Sequence, residues 1–115
     1  MKNPINQFLP LAPAVLHILL ALAGEDLHGY AIMQEVARQS DGRYKLGPGT
    51  LYDNLQRLLK QGLVEESGDE AEGSRRRCYR LSSLGRRVLS SEIARLEGVV
   101  REAKLRIRAL RTGRA

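Results

Sequence analysis

Thr50, Tyr52, Asn54, Arg57 and Lys60 fall within one short stretch, Gly47 to Gly62, that reads GPGTLYDNLQRLLKQG. A hydroxyl, a phenol, a carboxamide, a guanidinium and an ammonium are the groups that hydrogen-bond phosphate oxygens and base edges in the major groove of duplex DNA. The same stretch carries Leu51, Leu55, Leu58 and Leu59 at helical spacing. An apolar stripe therefore faces a core, while the polar residues, Asp53 and Gln56 among them, lie mostly off it. Pro48 suits a first helical residue, which needs no N–H, and Gly62 stands where a helix turns off through a left-handed residue. Such a mixed polar face covers most amphipathic helices, so its meaning depends on the neighbouring segments.

The other reactive side chains form no catalytic group. His17 and His28 lack a neighbouring nucleophile, and Gly47-Pro48-Gly49 is a turn rather than a phosphate loop, so neither an enzyme nor a cofactor is expected. The single cysteine, Cys78, excludes an internal disulfide, offers no metal-ligand spacing and suits a reducing cytoplasm. Arg76, Arg77 and Arg80 beside it admit a thiolate redox switch, against which stands the lack of a resolving cysteine.

Nineteen Lys and Arg against thirteen Asp and Glu give a net charge of +6, which favours polyanionic partners. Residues 1–46 balance four basic against four acidic and residues 47–81 six against six, whereas residues 82–115 carry nine against three. The excess thus lies entirely in the last segment. The apolar run from Leu11 to Ala23 is too short to span a bilayer, and Gly24, Glu25 and Asp26 follow it in place of a small-residue cleavage site. A cytoplasmic chain without membrane contact is expected.

The elements that would position the polar helix can be read in order. Residues 1–12 form a tail with a helical turn near Ile5 to Leu9 and Phe8 as its one large anchor. Pro13 opens a helix that is apolar almost all round and stops at Gly24, which points to cover from a second copy at Leu16, Leu19 and Leu20. Asp26 or a nearby residue caps the next helix, Gly29 to Gln39, and Arg43 to Leu46 is expected as a short strand. Leu63 to Glu66 and Arg75 to Leu81 read as a hairpin around an acidic loop, with Tyr79 and Leu81 on one face and Arg76, Cys78 and Arg80 on the other. Ser82 caps a final helix from Ser83 to about Leu110.

In that last helix Leu89, Ile93, Leu96, Val100, Ala103, Ile107 and Leu110 are spaced 4, 3, 4, 3, 4, 3, a coiled-coil seam. A parallel pair would oppose Glu92 to Glu97 and Arg106 to Arg111. An antiparallel pair centred near Val100 brings Glu92 toward Arg106 and Glu97 toward Lys104, so the charges favour an antiparallel homodimer. The alternative is packing of this stripe on the first helix of the same chain.

The sum is a mainly α fold with a small β wing: a tail over 1–12, a winged helix-turn-helix over 13–81, and a dimerisation helix with a basic end over 82–115. With HGYAIMQEV, GPGTLYDNLQRLLKQGLVEE and CYRLSSLGRRVL in this order, the chain resembles the PadR-like winged-helix transcriptional regulators from Pro13 onward, in their short form. The resemblance implies a homodimer that binds operator sites in double-stranded DNA, usually as a repressor, and two recognition helices in successive major grooves make that operator an inverted repeat. A small-molecule effector of unnamed class is left open, and the last helix lacks the aromatic side chains with which drug-sensing members can hold flat ligands. The resemblance also implies DNA contacts from Thr50, Tyr52, Asn54, Arg57 and Lys60, and for Tyr30 either a phosphate contact or a packing role. Five carboxylates, Glu65, Glu66, Asp69, Glu70 and Glu72, oppose deep insertion of the wing tip between phosphates, so phosphate contact is assigned to Arg75, Arg76 and Arg77 at its base. A protein-interaction module on a winged-helix scaffold is the competing reading.

Overall fold

The computed structural model describes residues 4–67 and 77–113. A single 3₁₀ turn, Asn6–Phe8, precedes α1 (Pro13–Ala21), β1 (Leu27–His28), α2 (Gly29–Gln39), α3 (Pro48–Lys60), β2 (Val64–Glu66), β3 (Cys78–Leu81) and α4 (Ser83–Arg111). The strands form one antiparallel sheet in the order β1-β3-β2. Helices dominate, the sheet is small, and no described helix is long and apolar enough to cross a membrane.

Local chemistry fixes the helix bounds. Pro13 and Pro48 each occupy a first-turn position. Gly62 leaves α3 at φ 77, with its N–H donating to Leu59 O at 3.1 Å and the next N–H, of Leu63, to Leu58 O at 3.0 Å. These two bonds satisfy carbonyls that the end of a helix otherwise orphans. α2 ends in the same way through Asp41 at φ 57 and Gly42 at φ 74. At its start the cap, expected at Asp26 or a nearby residue, is His28, whose Nδ1 accepts the Ala31 N–H at 3.3 Å.

Arg43 to Leu46 is not a strand. The Tyr44 N–H donates to the Ser40 hydroxyl at 3.0 Å, and the Tyr44 ring stacks on His17 of α1 with centroids 4.4 Å apart. Held through Tyr44, the segment is a tight connection between α2 and α3. The third strand comes instead from Leu27 and His28, which face Tyr79 and Cys78 of β3.

The core gathers Ile18 and Leu19 from α1, Ile32 and Val36 from α2, Leu51, Leu55 and Leu58 from α3, Tyr79 and Leu81 from β3, and Val88 and Leu89 from α4. Leu19 is fully covered and Leu89 nearly so within one chain, so neither offers the surface to a second copy that the sequence suggested. α1 is thus only partly enclosed by its own domain: Ile18, Leu19 and Ala21 are buried, whereas Val15, Leu16 and Leu20 stay half-buried. The first turns of α4 do pack on α1 and place Val88 and Leu89 in the core, and from Ile93 onward the helix is exposed or half-exposed.

Where α4 begins, three elements meet. The Ser82 hydroxyl donates to Gly62 O at 2.6 Å and accepts from the Gly85 N–H at 2.9 Å, and the Ser82 N–H donates to Leu63 O at 3.0 Å. Gly85 lies so close to the Leu63 carbonyl that a Cβ there would overlap it.

The N-terminal segment is pinned by Ile5, which is buried while Phe8 is only half-buried, and by Glu92. Glu92 is 1% exposed, accepts the Leu11 N–H at 2.9 Å, and takes the Arg95 guanidinium in a bidentate pair at 2.6 and 3.1 Å. The bonded guanidinium holds the Glu92 carboxyl below the usual carboxylate range; burial pushes the other way, and the Leu11 amide adds to the lowering. The expected cross-chain pair of Glu92 with Arg106 is therefore replaced by bonds inside one chain, and Arg106 pairs with Glu102 at 3.0 Å.

Two stability measurements follow from these contacts. Gly85→Ala should cost about 1–3 kcal/mol in urea unfolding, because the new methyl must displace a backbone carbonyl; an unchanged midpoint would contradict the close approach. Glu92→Leu should cost about 1–3 kcal/mol at neutral pH, since it strands the Leu11 N–H. A carboxyl whose folded pKa is depressed stabilises above its unfolded value of about 4.3, and the gain disappears as pH falls through the folded value. The difference between wild type and Glu92→Leu should accordingly shrink on acidification, and growth of that difference would refute the assignment.

Candidate nucleic-acid interface

α3 buries Leu51, Leu55 and Leu58 and exposes Thr50, Tyr52, Asp53, Gln56, Arg57 and Lys60. At about 100° per residue, Asp53, Gln56, Arg57 and Lys60 stand most directly opposite the three leucines. Asp53 and Gln56 were not singled out from the sequence as contacts, although this same wheel places them mid-face. Thr50 and the half-buried Asn54 flank that centre on the side toward the N-terminal segment, and Tyr52 lies on the side toward the wing. One amide N–H of Asn54 donates to Thr50 O at 2.8 Å, which fixes the carboxamide and leaves its oxygen to a partner.

Arg57 and Lys60 make no ion pair among the described residues. Both sit in the last turn of α3, where the helix dipole favours cations.

Tyr52 links this face to two other elements. Its ring covers Gly29, so closely that any Cβ at that position would strike the phenol, and this brings the start of α2 and Tyr30, 62% exposed, beside α3. It also neighbours Tyr79 of β3. Burial pushes the Tyr79 phenol pKa up, and Glu66 and then Tyr52 push it further in the same direction, while Arg77 opposes them. The phenol consequently stays protonated where the wing meets α3.

Of the wing arginines, Arg75 and Arg76 lie outside the described residues. Arg77 is exposed and bonds to Glu66 at 3.4 Å, and Arg80 bonds to Glu65 at 3.1 Å. Of the three guanidiniums expected to activate Cys78, the two described, Arg77 and Arg80, are thus engaged by carboxylates. Cys78 is half-buried opposite His28. No cluster of three or more metal-ligating side chains occurs among the described residues. Tyr30, Thr50, Tyr52, Asn54, Arg57, Lys60 and Arg77 therefore come from three elements that meet around Tyr52.

The model of the transcriptional regulator PadR-like family matches residues 15–91. The chain belongs to this family. It is 38% identical over 87 residues to the transcriptional regulator Rv3488 of Mycobacterium tuberculosis, covering 76% of this chain and 78% of that protein. Among solved structures, a transcriptional regulator from Clostridium thermocellum superposes with a TM-score of 0.66 at 25% identity, covering 87% of this chain and 93% of that one. Bacillus subtilis PadR, solved in complex with operator DNA, shares the fold at a TM-score of 0.61 and 19% identity, over 73% of this chain and 48% of that one. The PadR-like match ends at residue 91, within α4, so the exposed part of that helix lies beyond it.

The packing of Tyr52 on Gly29 can be tested by a double-mutant cycle. Gly29→Ala should destabilise the wild type but become neutral or stabilising in a Tyr52→Ala background, with a coupling of at least about 0.5 kcal/mol in urea unfolding. Additive effects would separate the two residues.

Proposed function

We propose that this PadR-like chain binds an inverted-repeat operator in double-stranded DNA as a homodimer and represses transcription there. The observation that carries the reading is the exposed face of α3. A helix anchored by three buried leucines presents Arg57 and Lys60 without internal partners, beside Gln56, Asn54 and Thr50, on a convex edge that a major groove accommodates. Its N-terminal half is flanked by Tyr30 and by Arg77 at the base of the wing.

Dimerisation is supported by the outer part of α4. Ile93, Val100, Ile107 and Leu110 are 41%, 50%, 51% and 69% exposed, in line with half-buried Leu96 and exposed Ala103. A continuous apolar stripe on a helix that leaves its own domain needs cover. A second copy supplies it with matching heptad spacing. Glu97 and Lys104, unpaired among the described residues, keep the attraction that favours an antiparallel pair centred near Val100. Leu16 and Leu20 of α1 add half-buried apolar surface.

The competing reading, a protein-interaction module, draws on one observation: Arg101, Lys104, Arg108 and Arg111 form a ridge beside that stripe, with no ion pairs among the described residues.

Chromosomal fragments selected by the chain at physiological ionic strength decide between them. The DNA-binding reading expects fragments sharing an inverted repeat, half-sites roughly 34 Å apart, and affinity that falls steeply with salt. Arg57→Ala should weaken that binding about tenfold or more, and Val100→Asp should yield monomers in sedimentation that protect no symmetric site. Selection of no common sequence, or full binding by Arg57→Ala and Tyr52→Ala combined, would overturn it.

A further inference from the structure

β2 carries two carboxylates that pair with guanidiniums on opposite faces of the wing, one with Arg80 of β3 and one with Arg77 just before that strand. The register sets Val64 opposite Leu81, Glu65 opposite Arg80 and Glu66 opposite Tyr79. Alternation therefore puts Glu66 on the same face as the buried Val64, Tyr79 and Leu81, and Glu65 with Arg80 on the outer face. Arg77 has the parity of Tyr79 and bonds to Glu66 at 3.4 Å, whereas Arg80 bonds to Glu65 at 3.1 Å. The inner pair borders Tyr79, and Tyr79 neighbours Tyr52 of α3. Glu66 and Arg77 are thus drawn to the junction between the wing and the exposed helix face, and the outer pair stands on the far side of the sheet.

Among the described cations, Arg57 and Lys60 lie on that face and Arg77 lies at that junction. Only Arg77, among these three, is bonded to a carboxylate. Building on the DNA-binding reading, we infer that Glu66 is a specificity-determining residue, which by occupying Arg77 withholds a phosphate contact from arbitrary duplex and yields it only to a correctly seated operator.

The physical basis is the different origin of the two kinds of affinity. Binding to arbitrary sequence rests on phosphates neutralised by free cations, each of which releases counterions and steepens the salt dependence by roughly 0.9 in the log–log slope. An arginine that already carries a carboxylate contributes little of this, because an incoming phosphate must displace Glu66 and then remain beside it. Both members of the pair are exposed, at 74% and 45%, and a pair of that kind is weak. A phosphate held in register by base contacts elsewhere can therefore open it, while a loosely placed duplex gains nothing by doing so. Suppressing the non-specific term raises the ratio between operator and background, which governs occupancy on a chromosome.

The test uses the full chain, its selected inverted repeat and a short duplex of random sequence, titrated at several salt concentrations. Glu66→Gln should bind the random duplex about two- to fivefold more tightly per half-site, with a slope steeper by up to roughly 0.9, while operator affinity changes less. Glu65→Gln makes the same change in charge on the outer face and should leave the ratio of the two affinities nearly as it is. Adding Arg77→Ala to Glu66→Gln should abolish the gain. Equal responses of the two Gln variants would reduce the effect to net charge and overturn the assignment of Glu66, as would a gain that survives the loss of Arg77. If the wild type binds neither duplex, the DNA-binding reading falls and this inference falls with it.

Discussion

The arrangement hinges on the Ser82 hydroxyl. It is 9% exposed and bonded on both sides, to the carbonyl that ends α3 and to the amide that begins α4, and its own residue closes β3. A buried hydroxyl stripped of such partners is costly, so the three elements are held in one mutual orientation by a group that cannot release any of them cheaply. The lack of a side chain at Gly85 permits this approach, since only there can α4 press against the Leu63 carbonyl. The exposed face of α3 is consequently fixed relative to the outward-running α4. If two copies pair through α4, the distance and tilt between their two α3 faces are set through this single junction.

Much of the scaffold was legible because its signals are local. α2 occupies Gly29–Gln39 and α3 Pro48–Lys60, each where proline, glycine and apolar spacing placed it, and Ser82 caps α4. What escaped were features whose cause lies far along the chain. β1 is two residues long, too short for any periodicity, and exists because β3 pairs with it. Which residue near Asp26 caps α2 was open for the same reason: the strand positions His28 for it. Arg43 to Leu46 has strand-like composition, yet the hydroxyl of Ser40 and the ring of His17 draw Tyr44 into a closed turn.

The candidate interface was legible in kind and less so in detail. The leucine stripe of α3 told which side is free, and the free side proved to hold the side chains expected of it. Its state of charge could not be read the same way. Glu65 and Glu66 are distant in sequence from Arg80 and Arg77, and only the strand register brings them together. Glu92 is the clearest instance. Heptad arithmetic assigned it to a neighbouring molecule, but Leu11 and Arg95 claim it inside the chain, because the N-terminal segment folds back across the start of α4.

Charge also constrains how α3 could read a groove. Residues 13–81 hold nearly equal numbers of acidic and basic groups, and the surplus resides in residues 82–115. A winged domain without net positive charge draws little affinity from phosphates alone, so base contacts would have to supply a larger share of it. Asp53 stands near the centre of the exposed face, where a carboxylate is repelled by phosphates but accepts from a cytosine amino group. Gln56 lies next to it and can bond an adenine edge at two points. If the proposed DNA binding holds, the middle of the helix would discriminate among bases, Arg57 and Lys60 would hold it in register, and the near-neutral surround would keep the chain from resting on sequences it does not recognise.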